Sequence, residues 1–191
     1  MQAFSIDAVC ANFSQHLKDS TAPGFRALLT MLQADAEITD PRWAAYMLAT
    51  ARWECAQKWE PIEEFGHGKN HPYGQPVTVV INGTPYTNIY YGRGYVQLTW
   101  EGNYATMSHA LGLGDLLITN PEHLLERPIA YKVMSFGMRH GSFTGASLHR
   151  FINENNCDYV NARKIINGLD QADIIAGYAR EFEQLLSDNA Q

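Results

Sequence analysis

YYGRGYVQLTW, residues Tyr90 to Trp100, stands in the middle of the chain and decides how the rest is read. Gly92 and Gly94 bracket Arg93, and Tyr90, Tyr91, Tyr95 and Trp100 crowd around it. A glycine on each side of an arginine implies backbone at positive φ or a close approach by another group, with the guanidinium tying loop carbonyls together. Polar Gln97 and Thr99 alternate with apolar Val96 and Leu98. That period of two predicts an extended segment with Gln97 and Thr99 on one face.

Working back from this stretch, Val77-Thr-Val-Val-Ile81 is β-branched throughout and Asn82-Gly83 is a turn dipeptide. Together with Thr84 to Tyr90 they predict a β-hairpin. Before it, Glu60 to Pro72 (EPIEEFGHGKNHP) is too rich in glycine and proline for a long helix and reads as an exposed loop carrying three carboxylates. His67 and His71 are four apart, but on such a loop that spacing does not aim both rings one way, and no third metal ligand is evident. No metal and no cofactor are expected.

Everything else has helical spacing. Ser5 is a candidate cap for Ile6, Val9, Phe13 and Leu17, and Thr21 or Ala22 with Pro23 opens a helix through Leu32. Asp40 and Pro41 open a third helix, running to about Gln57. Downstream, Tyr104 to Leu111, Ala130 to Arg139, a segment capped by Thr144 through Ile152, one capped by Asp158 through Ile166, and Ile174 to Leu185 all read as helical. The fold class expected is mainly α: a lysozyme-like α+β arrangement of helical lobes around a groove, with one small β-hairpin insert. No linker or repeat interrupts the chain, so residues 1–191 read as one catalytic domain.

The formal charge of -6 offers no basic footprint for nucleic acid. It also implies that activity depends less on ionic strength than in a basic protein. Three cysteines without paired spacing argue against a disulfide framework, and synthesis in a reducing cytosol fits them better. The first residues lack a basic leader and an apolar core, so no secretory signal is read, and no apolar run reaches the ~20 residues that span a bilayer. A monomer without membrane insertion is expected.

The third helix carries a chemical signal. Trp43, Met47, Thr50 and Glu54 share a face, so Glu54 sits beside apolar groups that would raise its carboxyl pKa, as a general acid working near neutrality requires. A second carboxylate on a glycine-rich loop would have a different environment, and such asymmetry separates acid from base. Glycoside hydrolysis needs this pair. A separation of about 6.5–9.5 Å leaves room for a water and gives inversion. Trp53, Trp59, Tyr73, Tyr90, Tyr91 and Trp100 are candidates for stacking on sugar rings.

Tyr90 to Tyr104, YYGRGYVQLTWEGNY, resembles the signature of glycoside hydrolase family 19, the chitinases and phage endolysins of the lysozyme superfamily, and is most similar to the endolysin branch. The resemblance extends to Ala51-Arg-Trp-Glu-Cys55, Pro61-Ile-Glu-Glu-Phe-Gly66, Gly141 to Gly145, Ala162 to Gly168 and Ile175 to Arg180, covering residues 41–186. It implies that Glu54 is the proton donor, although Trp53 and Cys55 replace the histidine and hydroxyl residue that usually flank it. It implies a general base in the following loop, Glu64 ahead of Glu63. Thr99 matches the position that holds the attacking water, and Gln97 and Asn103 match substrate-contacting positions. Asn167 matches an asparagine of the groove's far wall, and Arg180 an arginine that orders the carboxylates.

The function implied is hydrolysis of β-1,4 bonds in the glycan strands of peptidoglycan, causing host cell lysis after holin-type release from the cytoplasm to the wall. A chitinase acting on chitin oligomers and a catalytically silent glycan-binding relative remain the alternatives.

Overall fold

The computed structural model describes residues 2–191. Contacts gather in two compact units: residues up to Glu60 together with Ser135–Gln191, and the intervening Pro61–Met134. In sequence, the second unit is thus a continuous insert within the first.

In the first unit, α1 (Ile6–Asn12) starts where the Ser5 hydroxyl accepts from the Ala8 amide at 3.3 Å. Proline in the first turn suits α2 (Ala22–Ala34), which buries Phe25, Leu28, Leu29 and Leu32 on one face. α3 (Pro41–Glu54) starts at Asp40, whose carboxylate accepts from the Arg42 amide at 2.9 Å. Every residue from Ala44 to Arg52 is buried, so this is the central helix of the unit. It stops earlier than expected, at Glu54, because Ala56 and Gln57 turn the backbone left-handed, with φ of 48° and 60°.

Against α3 packs α8 (Ala172–Asp188), the most extensive helix pair in the chain. Ala44, Ala45, Ala49 and Ala51 contribute only methyl groups, which suits close packing. Phe182 of α8 joins Phe13, Phe25 and Trp59 in a cluster with ring centroids 4.7–6.2 Å apart. Burial of an aromatic or aliphatic side chain stabilises by about 1.5–3 kcal/mol, so this cluster anchors the unit. Between the helices, the expected Thr144-to-Ile152 helix is reduced to α7 (Leu148–Phe151), and Ile152–Asn153 (β5) pairs instead with Asn156–Cys157 (β6). The Asp158 carboxylate does accept from the Asn161 amide, but Asn161–Ile165 form a 3₁₀ segment with Val160 at its N-cap rather than an α-helix capped by Asp158.

The inserted unit contains the anticipated hairpin, β2 (Val77–Ile81) with β3 (Thr84–Asn88), in the register Val77↔Asn88 to Ile81↔Thr84. Asn82 and Gly83 have φ of 50° and 82°, the paired positive values of a two-residue turn that matches strand twist. A second small ladder pairs β1 (Ile62–Glu63) with β4 (Arg93–Gly94), setting Glu63 opposite Arg93. Asn88 and Tyr90 bond the carbonyls of Ile118 and Thr119, tying this region to α5 (Leu116–Thr119). α4 (Glu101–Ala110) follows Trp100, and α6 (Arg127–His140) leads out of the unit.

The extended segment expected through Val96, Gln97 and Leu98 is instead a tight turn. Arg93 and Leu98 exchange both backbone hydrogen bonds, and the chain between them reverses through Gly94 at φ 86° and Gln97 at φ 53°. A left-handed residue in the run abolishes the period of two, so Gln97 and Thr99 do not share a strand face.

Among the described residues no helix is long and apolar enough to cross a membrane. Among the described residues no cluster of His, Cys, Asp or Glu has the makings of a metal site, and none of the three cysteines is in a disulfide.

Candidate active site

Glu54 is the last residue of α3 and only 14% of its side chain is exposed. Burial pushes its carboxyl up from the ordinary carboxylate range, and Asp170 adds to the rise. Opposing both is Arg163, whose Nη1 donates to Glu54 Oε1 at 2.5 Å from a side chain 4% exposed. Arg163 is fixed in turn by Nε donating to the Asp170 carbonyl at 3.1 Å. The result is a carboxyl that keeps a proton more readily than a surface glutamate yet has one donor holding its orientation. Cys55, directly after it, is buried, and burial pushes its thiol up, which disfavours the thiolate.

Arg180 is the arginine expected to order the carboxylates. Arg180 is exposed on α8 and lines a cavity of about 430 Å³ with Phe4, Pro41 and Glu183, whereas Arg163 is the arginine in contact with Glu54. Sequence reasoning missed Arg163 because it lies 109 residues away. The one signal was a charge placed directly between the core residues Ala162 and Ile165.

The second carboxylate pair belongs to the inserted unit. Glu64 has both oxygens engaged: Oε1 accepts from the Tyr73 hydroxyl at 2.9 Å and Oε2 from the Gly92 amide at 3.0 Å, while its own amide donates to the Gly92 carbonyl at 2.7 Å. The close approach explains the glycine, since a Cβ at position 92 would lie 3.2 Å from Glu64 Cβ and 2.9 Å from Gln97 Oε1. Burial and the bond to Glu64 push the Tyr73 hydroxyl up to about 12, so it stays a donor.

Glu63 is held differently. Oε1 accepts from the Tyr91 hydroxyl at 2.6 Å and lies 3.8 Å from Arg93 Nε, and Oε2 is 3.5 Å from His67 Nε2, with 36% of the side chain exposed. Tyr91 is itself clamped, its ring stacked on His67 at 4.6 Å with the Arg93 guanidinium over it at 3.5 Å. Arg93 donates to the Ile89 carbonyl and the Tyr104 hydroxyl, the carbonyl-tying part expected of it. Both glutamates are therefore positioned, Glu64 by hydrogen bonds to both oxygens and Glu63 by the Tyr91 hydroxyl on one.

The other sequence candidates divide. Trp100 is 49% exposed at φ 72° and meets the Tyr73 ring edge-on at 5.6 Å, which leaves an indole surface for a ligand. Tyr91 is 8% exposed, and its hydroxyl serves Glu63 rather than standing free for substrate. Gln97 donates to the carbonyls of Ile62 and Gly94, so its amide nitrogen is committed to joining the two ends of this loop system. Asn103 donates to the Thr99 carbonyl at 2.8 Å, and Thr99 is half-buried just ahead of α4. Asn167 is exposed, with Oδ1 accepting from the Gly168 amide. Trp59 and Tyr90, considered for stacking, are 1% exposed and belong to the core.

A mainly helical chain with these small antiparallel pairs has the lysozyme-like fold of the family 19 chitinases. Among solved structures, chitinase C from Streptomyces griseus HUT6037 matches with a TM-score of 0.64 and 24% identity over 96% of this chain and 76% of that one. A bacterial family 19 chitinase matches with a TM-score of 0.54 and 20% identity over 96% of this chain and 94% of its own. A glutamate-to-glutamine variant of a chitinase C matches with a TM-score of 0.55 and 20% identity over 98% of this chain and 95% of its own. No family model and no curated protein matches the sequence.

Proposed function

We propose that this protein is a glycoside hydrolase cutting β-1,4 bonds in a polymer of N-acetylated amino sugars, with Glu54 as proton donor. The observation that carries the reading is the state of Glu54: buried, raised above the ordinary carboxylate range, and oriented by one guanidinium. Glu54 protonates the departing glycosidic oxygen. A water, deprotonated by Glu63 or Glu64 and steadied by Thr99, attacks the anomeric carbon from the other face, inverting its configuration. The mechanism assigns no step to a metal or cofactor.

The preferred polymer is the glycan strand of peptidoglycan, in keeping with the endolysin-like signature at Tyr90 to Tyr104. The chain would then reach the wall from the cytoplasm in a lysis system. Chitin is the second reading, favoured by the solved structures of similar fold, which are chitinases by name.

The test is release of reducing ends from purified peptidoglycan and from colloidal chitin, by the native protein and by Glu54→Gln. The expected result is turnover of peptidoglycan by the native protein, reduced in the variant by at least about a hundredfold with the fold intact. Turnover of chitin alone overturns the choice of polymer. Unimpaired turnover by Glu54→Gln overturns the mechanism, and sedimentation with walls without new reducing ends makes the protein a binding module.

A further inference from the structure

Directly after the Glu63–Glu64 pair, Phe65 has a relative exposure of 104%. A phenylalanine this exposed contributes no packing to its own chain, and a lone apolar ring in water is a burial left unmade. The loop that carries it is not slack. Four successive turns close it, with amide-to-carbonyl bonds His67 to Glu64, Lys69 to Gly66, His71 to Gly68 and Gly74 to His71, all 2.9–3.1 Å. Its neck is so tight that a Cβ on Gly74 would fall 1.9 Å from the Gly68 carbonyl oxygen. On the other side of Phe65, Glu64 is fixed by Tyr73 and Gly92. The ring is thus projected from a braced turn beside two positioned carboxylates.

We infer that Phe65 is a substrate-positioning residue, its ring covered by the apolar face of a pyranose when the glycan binds. Chemistry favours a sugar over a second protein here. A pyranose presents C–H groups to an aromatic ring without needing a hydrogen-bond partner from it, and Tyr73 and Trp100 supply further aromatic surface at the same loop system. The inference rests on the glycosidase reading. Because the ring touches nothing in the free protein, its removal leaves stability alone and acts on binding.

The experiment compares native protein, Phe65→Ala and Phe65→Trp on soluble oligosaccharides of peptidoglycan and chitin, with thermal melts in parallel. The expected result for Phe65→Ala is an unchanged melting temperature, a KM raised about tenfold (roughly 1.4 kcal/mol) and kcat held within about twofold, with Phe65→Trp restoring KM. An active native protein with an unchanged KM in Phe65→Ala overturns the assignment and leaves the glycosidase reading standing. A lowered melting temperature with unchanged KM makes the ring structural and overturns it as well. A native protein that cleaves neither substrate overturns both.

Discussion

Replacing Arg163 by methionine probes the Glu54 environment through stability rather than rate. The pair is short, 2.5 Å, and its side chains are 4% and 14% exposed, so solvent screens it weakly. Removing the guanidinium strands a buried carboxyl, and breaking a buried pair in this way costs about 3–5 kcal/mol. For a chain of this size each kcal/mol moves the melting temperature by roughly 2–4 °C, so Arg163→Met is expected to melt about 6–20 °C lower. The double variant Glu54→Met with Arg163→Met replaces both members of the pair by apolar side chains. Exchanges of that kind are often neutral or stabilising, so the double variant is expected to regain most of the loss. Circular-dichroism melts at one pH, checked by urea unfolding, read both effects. A single variant melting within about 2 °C of native, or a double variant showing the simple sum of two losses, would refute the view of Glu54 and Arg163 as one compensated buried pair.

The base can be assigned by comparing Glu63→Gln with Glu64→Gln. The residue that takes the proton should lose about 10²–10⁴ in kcat, the other far less, and equal small losses in both would rule out a base at either position. The pH dependence of stability derives from Glu54. Its folded pKa is raised by burial, so its stabilising contribution is complete below the ordinary glutamate value of about 4.3 and is lost as pH rises through the raised value. The melting temperature of Glu54→Gln should therefore gain on that of the native protein as pH rises across this window. A constant difference from about pH 4 to 8 would contradict the raised value. The same ionisation should define the alkaline limb of the native activity profile.

How far the sequence speaks differs element by element. Asp40-Pro41 starts α3 as read, since a side-chain cap and a proline act within one turn. Asn82-Gly83 likewise sets the hairpin by local backbone preference. The apolar surroundings of Glu54 can be read from helical spacing alone, but its partner Arg163 comes from another part of the chain and no local pattern announces it. The turn from Arg93 to Leu98 shows the opposite difficulty. Its alternation of polar and apolar residues is genuine, yet Gly94 and Gln97 take left-handed backbone and the alternation has no face to define. Tyr91 and Gln97 were legible as special residues, while their work of holding Glu63 and the loop ends depends on partners about 30 residues off in sequence.

The insertion of one compact unit within the other also orders events during synthesis. Pro61–Met134 is continuous and can gather its contacts as soon as it has left the ribosome. α3 must wait for α8, and pairings so far apart in sequence carry the loop-closure cost that slows folding. Until the C-terminal segment arrives, Glu54 lacks its partner Arg163. The pairing of Glu54 with Arg163 is thus made only after the residues between them have been synthesised.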